Sequence, residues 1–224
     1  AYSSSNMCGR FAQIRDEEEL MKSLSVHSCD VNVETSYNIA PGAEISIVHQ
    51  HEGRRLLDSR KWGLIPFWAK EGGRGMINAR SETVSEKPSF RHAFSKRRCL
   101  IPASGFYEWN KTEQGKQPWF ISGRSDPLVF AGIWEQWRSP EGIFLKSCAI
   151  LTCEANELMA PIHHRMPVIL DEKGRNTWLD PNPPEHLKML LKPCTSDLLQ
   201  AWPVSPQVNH PVFNGPECFE PVIS

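Results

Sequence analysis

Four short segments of this 224-residue chain place a reactive side chain among turn formers rather than inside an apolar period. Met7-Cys8-Gly9-Arg10 offers a thiol beside a guanidinium. The stretch from Met76 to Thr83 carries the amide of Asn78 and the guanidinium of Arg80, followed by Glu82. The stretch from Pro102 to Trp109 sets the Glu108 carboxylate among Phe106, Tyr107 and Trp109. Ile162 to Pro167 brings the imidazoles of His163 and His164 next to Arg165. A thiol, an imidazole and an amide are the parts of a thiol peptidase, here Cys8, His163 and Asn78. A carboxylate ringed by aromatics is poorly solvated, which raises its pKa and suits it to proton transfer near neutrality. Taken singly, none of these carries a function. A solitary cysteine ordinarily packs as a small hydrophobe, and a solitary histidine ordinarily makes a structural hydrogen bond.

The elements that must position these groups are short. Asp16-Glu17-Glu18-Glu19 ahead of Leu20, Met21 and Leu24 predicts a helix with carboxylates in its first turn. Residues 45–49, 62–65, 99–101, 106–109, 119–122, 128–134, 144–152, 168–170 and 204–208 read as strands. Residues 111–116, with Gly115, read as a hairpin turn. Further helices are expected at 88–95, 154–159, 185–191 and 196–202, and the 18 prolines and 14 glycines divide the remainder into short pieces. The sum is one α+β domain over residues 7–224, its mainly antiparallel sheet curved or barrel-like and flanked by short helices. Residues 1–6 read as a leader or a vector remnant, with Met7 as initiator.

Hydrophobic content of 40% and charged content of 23% are ordinary for a globular domain. No apolar run is long enough to span a bilayer, so no membrane partner is expected. Seven cysteines, an odd number without a Cys-x-x-Cys pair, suit free thiols in a reducing, cytoplasmic compartment. Cys148, Cys153, His163 and His164 lack a zinc-ligand spacing, and neither a metal nor a cofactor is expected. Net charge is −1, but its distribution is uneven. From Arg54 to Arg98 there are twelve Lys/Arg against four Asp/Glu, interleaved with Trp62, Phe67, Trp68, Phe90 and Phe94. Cations that track phosphates and rings that accept unstacked bases make a groove for single-stranded nucleic acid. The same pattern also describes a solvated basic face over core aromatics.

The four segments occur in fixed order with Tyr37-Asn38-Ile39-Ala40-Pro41 and with Trp62-Gly63-Leu64-Ile65-Pro66 plus Trp68. Together, from Met7 to about Val222, they resemble the SRAP family, the SOS-response-associated peptidases or abasic-site processing proteins. The resemblance implies a monomer that cross-links to abasic sites in single-stranded DNA, with associated self-processing, peptidase or lyase activity, in the DNA-damage response. It implies that Cys8, once N-terminal, closes a thiazolidine on the sugar aldehyde. An N-terminal α-amine titrates at about 7.7–8.0, so it is partly neutral at pH 7 and able to attack the carbonyl. By the same resemblance Glu108 is the acid/base, His163 assists sugar opening, and Asn78 bonds the terminal residue or the opened sugar. Arg10, Arg80 and Arg165 are the implied phosphate contacts, and Pro41 and Trp68 the implied wedge against flanking bases. Trp62 is expected in the core, and His164 and the other cysteines are expected to be structural. One departure stands out: seven residues precede Cys8, and while they remain its nitrogen is an amide. A thiol peptidase and a non-catalytic single-strand binding module remain the alternatives.

Overall fold

A computed structural model describes residues 8–222, so the expected leader at 1–6 and the initiator Met7 lie outside the described residues. In chain order the elements are β1 (Phe11–Gln13), α1 (Glu17–Ser23), β2 (Ser28–Cys29), β3 (Ser36–Ile39), β4 (Glu44–His51) and β5 (Arg54–Trp62). There follow β6 (Asn78–Arg80), α2 (Arg91–Lys96), β7 (Arg98–Ala103), β8 (Gly105–Thr112), β9 (Gly115–Gly123) and β10 (Leu128–Arg138). The chain continues with β11 (Phe144–Glu154), β12 (Arg165–Pro167), α3 (Glu172–Leu179), α4 (Pro184–Lys188) and β13 (Leu199–Pro203).

The ladder β11-β10-β7-β4-β5 is antiparallel throughout, and β5 then pairs with β11 in parallel at Lys61–Ser147 and Trp62–Cys148. That last pairing closes five strands into a barrel. Closure removes the free sheet edge and encloses a core of side chains. β10 and β11 are buried along most of their length and read as apolar runs, as strands covered on both faces do. Gly132 is where the interior is tightest: a Cβ there would lie 2.7 Å from Ile101 Cδ1 and 2.9 Å from Cys99 Sγ.

A second antiparallel sheet, β13-β9-β8-β1-β3, packs against the barrel. The two meet at Phe11, Trp62, Phe106 and Phe130, whose rings cross edge-to-face at 5.1–6.0 Å. β1 thus carries the residues just after Cys8 into the seam between the two sheets. On its other face the second sheet is covered by the C-terminal segment, with Val204, Val208 and Cys218 around Tyr107 and Phe120.

Helix α1 forms as expected, with a full capping box between Asp16 and Glu19. The hairpin at Lys111–Lys116 also forms, with Gly115 at φ +124°. Several boundaries differ. Residues 196–202, expected as a helix, make one 3-10 turn at Ser196–Leu198 and then strand β13 on β9. Trp202 decides this, packing on Phe120 at 5.4 Å while its Nε1 donates to Phe219 O, so tertiary contacts override local propensity. Residues 155–162 are turns, not a helix, because β11 runs on through Glu154. The strand expected at 168–170 lies three residues earlier as β12, and the one expected at 204–208 is a 3-10 turn at Pro206–Asn209. The strand expected at 62–65 ends at Trp62. There Gly63 (φ +142°) and Gly75 (φ +71°) touch backbone to backbone, and a Cβ on either would come within about 2.2 Å of a carbonyl oxygen. That contact sets the antiparallel bridge Leu64–Met76 and throws residues 66–75 outward as a loop. Among the described residues no helix is long and apolar enough to cross a membrane.

Candidate active site

Strand alternation explains how a carboxylate comes to be buried beside a cysteine. On β8, Phe106 faces the barrel core and Tyr107 faces the C-terminal segment, so Glu108 returns to the barrel side. β1 runs antiparallel to β8, with Phe11 opposite Phe106, and Tyr107 N donates to Arg10 O at 2.9 Å. This register carries Cys8 to Glu108. Cys8 N donates to Glu108 Oε1 at 2.6 Å, in surroundings that bury both residues.

Burial raises the Glu108 carboxyl to about 7, against the opposing hydrogen bonds from Cys8 N and Trp109 N. A carboxyl group at that value exchanges protons readily near neutral pH. The Cys8 thiol is pushed well above its ordinary range, first by burial and then by the Glu108 charge. A thiol so placed is a poor thiolate, which weighs against the peptidase reading in which sulfur attacks first.

A second group surrounds the C-terminal end of β11. β6 pairs alongside it, Asn78 with Ile150 and Arg80 with Thr152. β12 pairs with the same end, Arg165 with Glu154. His163 Nδ1 accepts from Arg165 N at 3.1 Å, and its ring stacks on His164 at 4.5 Å. Burial lowers the His163 pKa, so the imidazole is neutral at pH 7 with its proton on Nε2. The Asn78 Nδ2 amide is buried and has no hydrogen-bond partner among the described residues. An amide donor of that kind is available to a bound molecule. The two groups are joined through Trp62, which stacks on Phe11 and donates from Nε1 to Ile77 O, next to Asn78.

The arginines divide. Arg165 was expected at a phosphate, but its guanidinium is buried, bidentate on Glu82 at 2.5 and 2.8 Å and bonded to Thr152 O and Oγ1. It anchors the His163 turn to β11 instead. The pair, with hydrogen bonding from Arg165 first, lowers the Glu82 pKa to about 2. Glu82 itself is half exposed, so Arg165→Ala is expected to cost about 2–3 kcal/mol, less than a wholly enclosed pair, as measured by urea unfolding. A depressed carboxylate stabilises above its unfolded pKa, so the Arg165 and wild-type curves should converge as pH falls from about 4.5 toward 2. Arg10 bonds neutral oxygens, Asn38 Oδ1 at 2.9 Å and the carbonyls of Val208 and Asn209. Arg80 alone of the three is open, its side chain 58% exposed and 3.9 Å from Glu82.

The basic stretch divides in the same way. Arg55 bonds Leu24 O and Asn176, Arg60 pairs with Asp58, Arg97 with Glu135, and Arg98 caps Trp178 and Asp180 carbonyls. The exposed cations are Lys70, Arg80, Lys87 and Arg91 among others. Trp68 is exposed on the loop after β5; Pro41 is exposed ahead of β4, on the rim of a cavity of about 350 Å3. Glu135 went unread in the sequence. It is a carboxylate inside the apolar strand β10, bonded to His92 and Phe67 N, and a charge within an apolar run was the signal that could have found it.

A barrel with a side sheet, and a near-N-terminal cysteine bound to a buried glutamate, define the class of protein that the sequence segments suggested. The chain belongs to the SOS response associated peptidase (SRAP) family, which matches residues 7–211. It is 41% identical over 222 residues to the abasic site processing protein YoqW of Bacillus subtilis strain 168, covering 96% of this chain and 99% of YoqW. It is 34% identical over 201 residues to the abasic site processing protein HMCES of Mus musculus, covering 75% of this chain and 57% of HMCES. A solved structure of a protein from Bacteroides thetaiotaomicron has the same fold, with a TM-score of 0.88, 26% identity, and coverage of 96% of this chain and all of that one.

Proposed function

We propose that this chain processes abasic sites by trapping them covalently in single-stranded DNA, through a thiazolidine formed by Cys8 as the N-terminal residue. The observation that carries this reading is the 2.6 Å contact between Cys8 N and a glutamate whose pKa is raised to about 7. That nitrogen becomes the α-amine once the preceding residues are removed. An α-ammonium titrates at about 7.7–8.0, within roughly one unit of Glu108 before their mutual attraction is counted. Proton transfer from ammonium to carboxylate is therefore close to balanced, and it frees the amine.

The amine attacks the aldehyde carbon of the opened sugar. The protonated Glu108 then delivers a proton to the departing hydroxyl, and water leaves as the imine forms. The thiol adds across the imine, sulfur to carbon and its proton to nitrogen, closing the five-membered ring. The high thiol pKa suits this order, with nitrogen first and sulfur second. His163, neutral with its proton on Nε2, is the donor for the ring oxygen of the sugar, and the unpartnered Asn78 amide is the group that orients the opened sugar. Arg80 supplies an open phosphate contact. The relatives named abasic site processing proteins support the substrate, and the chain is read as a monomer working where DNA is handled in the cytoplasm.

The test is intact-mass spectrometry of a chain that begins at Cys8, mixed with single-stranded DNA bearing one abasic site. The expected product has the summed mass less one water and survives heating. Absence of any covalent species from a folded Cys8-terminal chain would overturn the reading.

A further inference from the structure

We infer that Phe67 and Trp68 form a rigid two-ring platform for consecutive unstacked bases, and that Glu135 is the residue that positions it. The inference rests on the nucleic-acid reading above and adds Phe67 and Glu135 to it.

Phe67 and Trp68 are 49% and 52% exposed, although large rings are ordinarily among the more buried residues. The loop that shows them is not loose. Phe67 N donates to Glu135 Oε2 at 3.3 Å, and Ala69 O accepts from Trp137 Nε1 at 2.7 Å, so β10 holds the loop from below at two points. From the side, Trp68 Nε1 donates to Pro88 O at 3.3 Å. One face of Phe67 rests on His92 at 4.8 Å. His92 Nδ1 in turn donates to Glu135 Oε1 at 3.1 Å, and Arg97 lies 3.4 Å from the same oxygen. Glu135 itself is enclosed, so this carboxylate is the hub of the support.

A clamp of this kind holds two rings toward solvent without freedom to fold inward. Rings fixed in advance lose little conformational entropy when a flat partner stacks on them. Lys70, Lys87 and Arg91 are exposed next to the rings along the chain. A flat, anionic partner fits both features, and single-stranded nucleic acid has a base and a phosphate at each step.

The test uses an undamaged single strand carrying 2-aminopurine at successive positions, titrated into the full chain. Two adjacent positions are expected to show altered fluorescence on binding. Phe67→Ala is expected to weaken binding roughly tenfold, with Phe67→Trp restoring it. Both changes are at the surface and leave the fold intact. Glu135→Gln is expected to raise the DNA concentration for half-maximal covalent reaction of the Cys8-terminal chain by more than it changes the maximal rate. Unchanged affinity in Phe67→Ala, or no binding of the undamaged strand at all, overturns the platform. Binding that depends on Phe67 without any covalent product on abasic DNA leaves the platform standing and refutes the thiazolidine instead.

Discussion

A chain that keeps residues 1–7 ahead of Cys8 is expected to give at least roughly 100-fold less heat-stable adduct with abasic DNA than one that begins at Cys8. The reason is electronic. An amide nitrogen shares its lone pair with the neighbouring carbonyl, the same resonance that sets a rotation barrier of about 18–20 kcal/mol, and it has no pair to offer an aldehyde. In the structure that nitrogen has one role, donating to Glu108 Oε1. As an amine it would keep that bond with one hydrogen and present its lone pair to the substrate. The backbone adds a smaller effect: Cys8 lies at φ +45°, a left-handed conformation costly for a residue with a side chain, and removal of the preceding peptide relieves it. Cys8→Ser in the processed chain separates the two halves of the chemistry. It keeps the amine and loses the sulfur, so borohydride should still trap an imine while the heat-stable product disappears. An uncleaved chain that cross-links as fast as the processed one would falsify the role given to the amine.

The sequence showed the site more clearly than the fold. Cys8, Asn78, Glu108 and His163 were legible because a reactive group among turn formers has no packing reason to be there. Glu108 was legible as a proton carrier because three aromatics flank it, and its burial follows directly from strand alternation. Arg165 was not legible. A guanidinium beside a histidine looks the same in sequence whether it meets a phosphate or a carboxylate, and only the pairing of β12 and β6 on β11 brings Glu82 to it. The basic stretch misled for the same reason: Arg60 and Arg98 serve the interior, and local charge counts cannot separate inward from outward strand positions. Among the strands, the apolar runs of β10 and β11 announced themselves. β1, β3 and the first half of β5 did not, and α3 was missed, because each is short or half-polar and is held by its neighbours. Barrel closure rests on a two-residue parallel contact of β5 with β11, a long-range event with no local signature.

Glu108→Gln is expected to make the protein slower and more stable together, and the pairing of those effects identifies what the carboxyl is for. Glutamine keeps the shape and an oxygen to accept from Cys8 N, but it has no proton to exchange near pH 7. Loss of general acid–base assistance is expected to slow adduct formation by about 10²–10³-fold, read as a single-turnover rate on abasic DNA. Stability moves the other way. In the full chain burial raises the carboxyl from 4.5 to about 7, so the folded state favours the neutral form. Below about 4.5 the group is neutral in both states and its burial carries no ionic cost. Between 4.5 and 7 the unfolded chain ionises first, and stability is lost as pH rises; above 7 the full penalty, about 3 kcal/mol, is present. Glutamine has no such penalty. The variant should therefore unfold at higher denaturant than wild type at pH 8, and the two should converge near pH 4.5. A structural glutamate, one whose ionised form supports the Cys8 backbone, predicts the opposite sign at pH 8. The direction of that one difference therefore separates a group kept under strain for proton transfer from one kept for the fold.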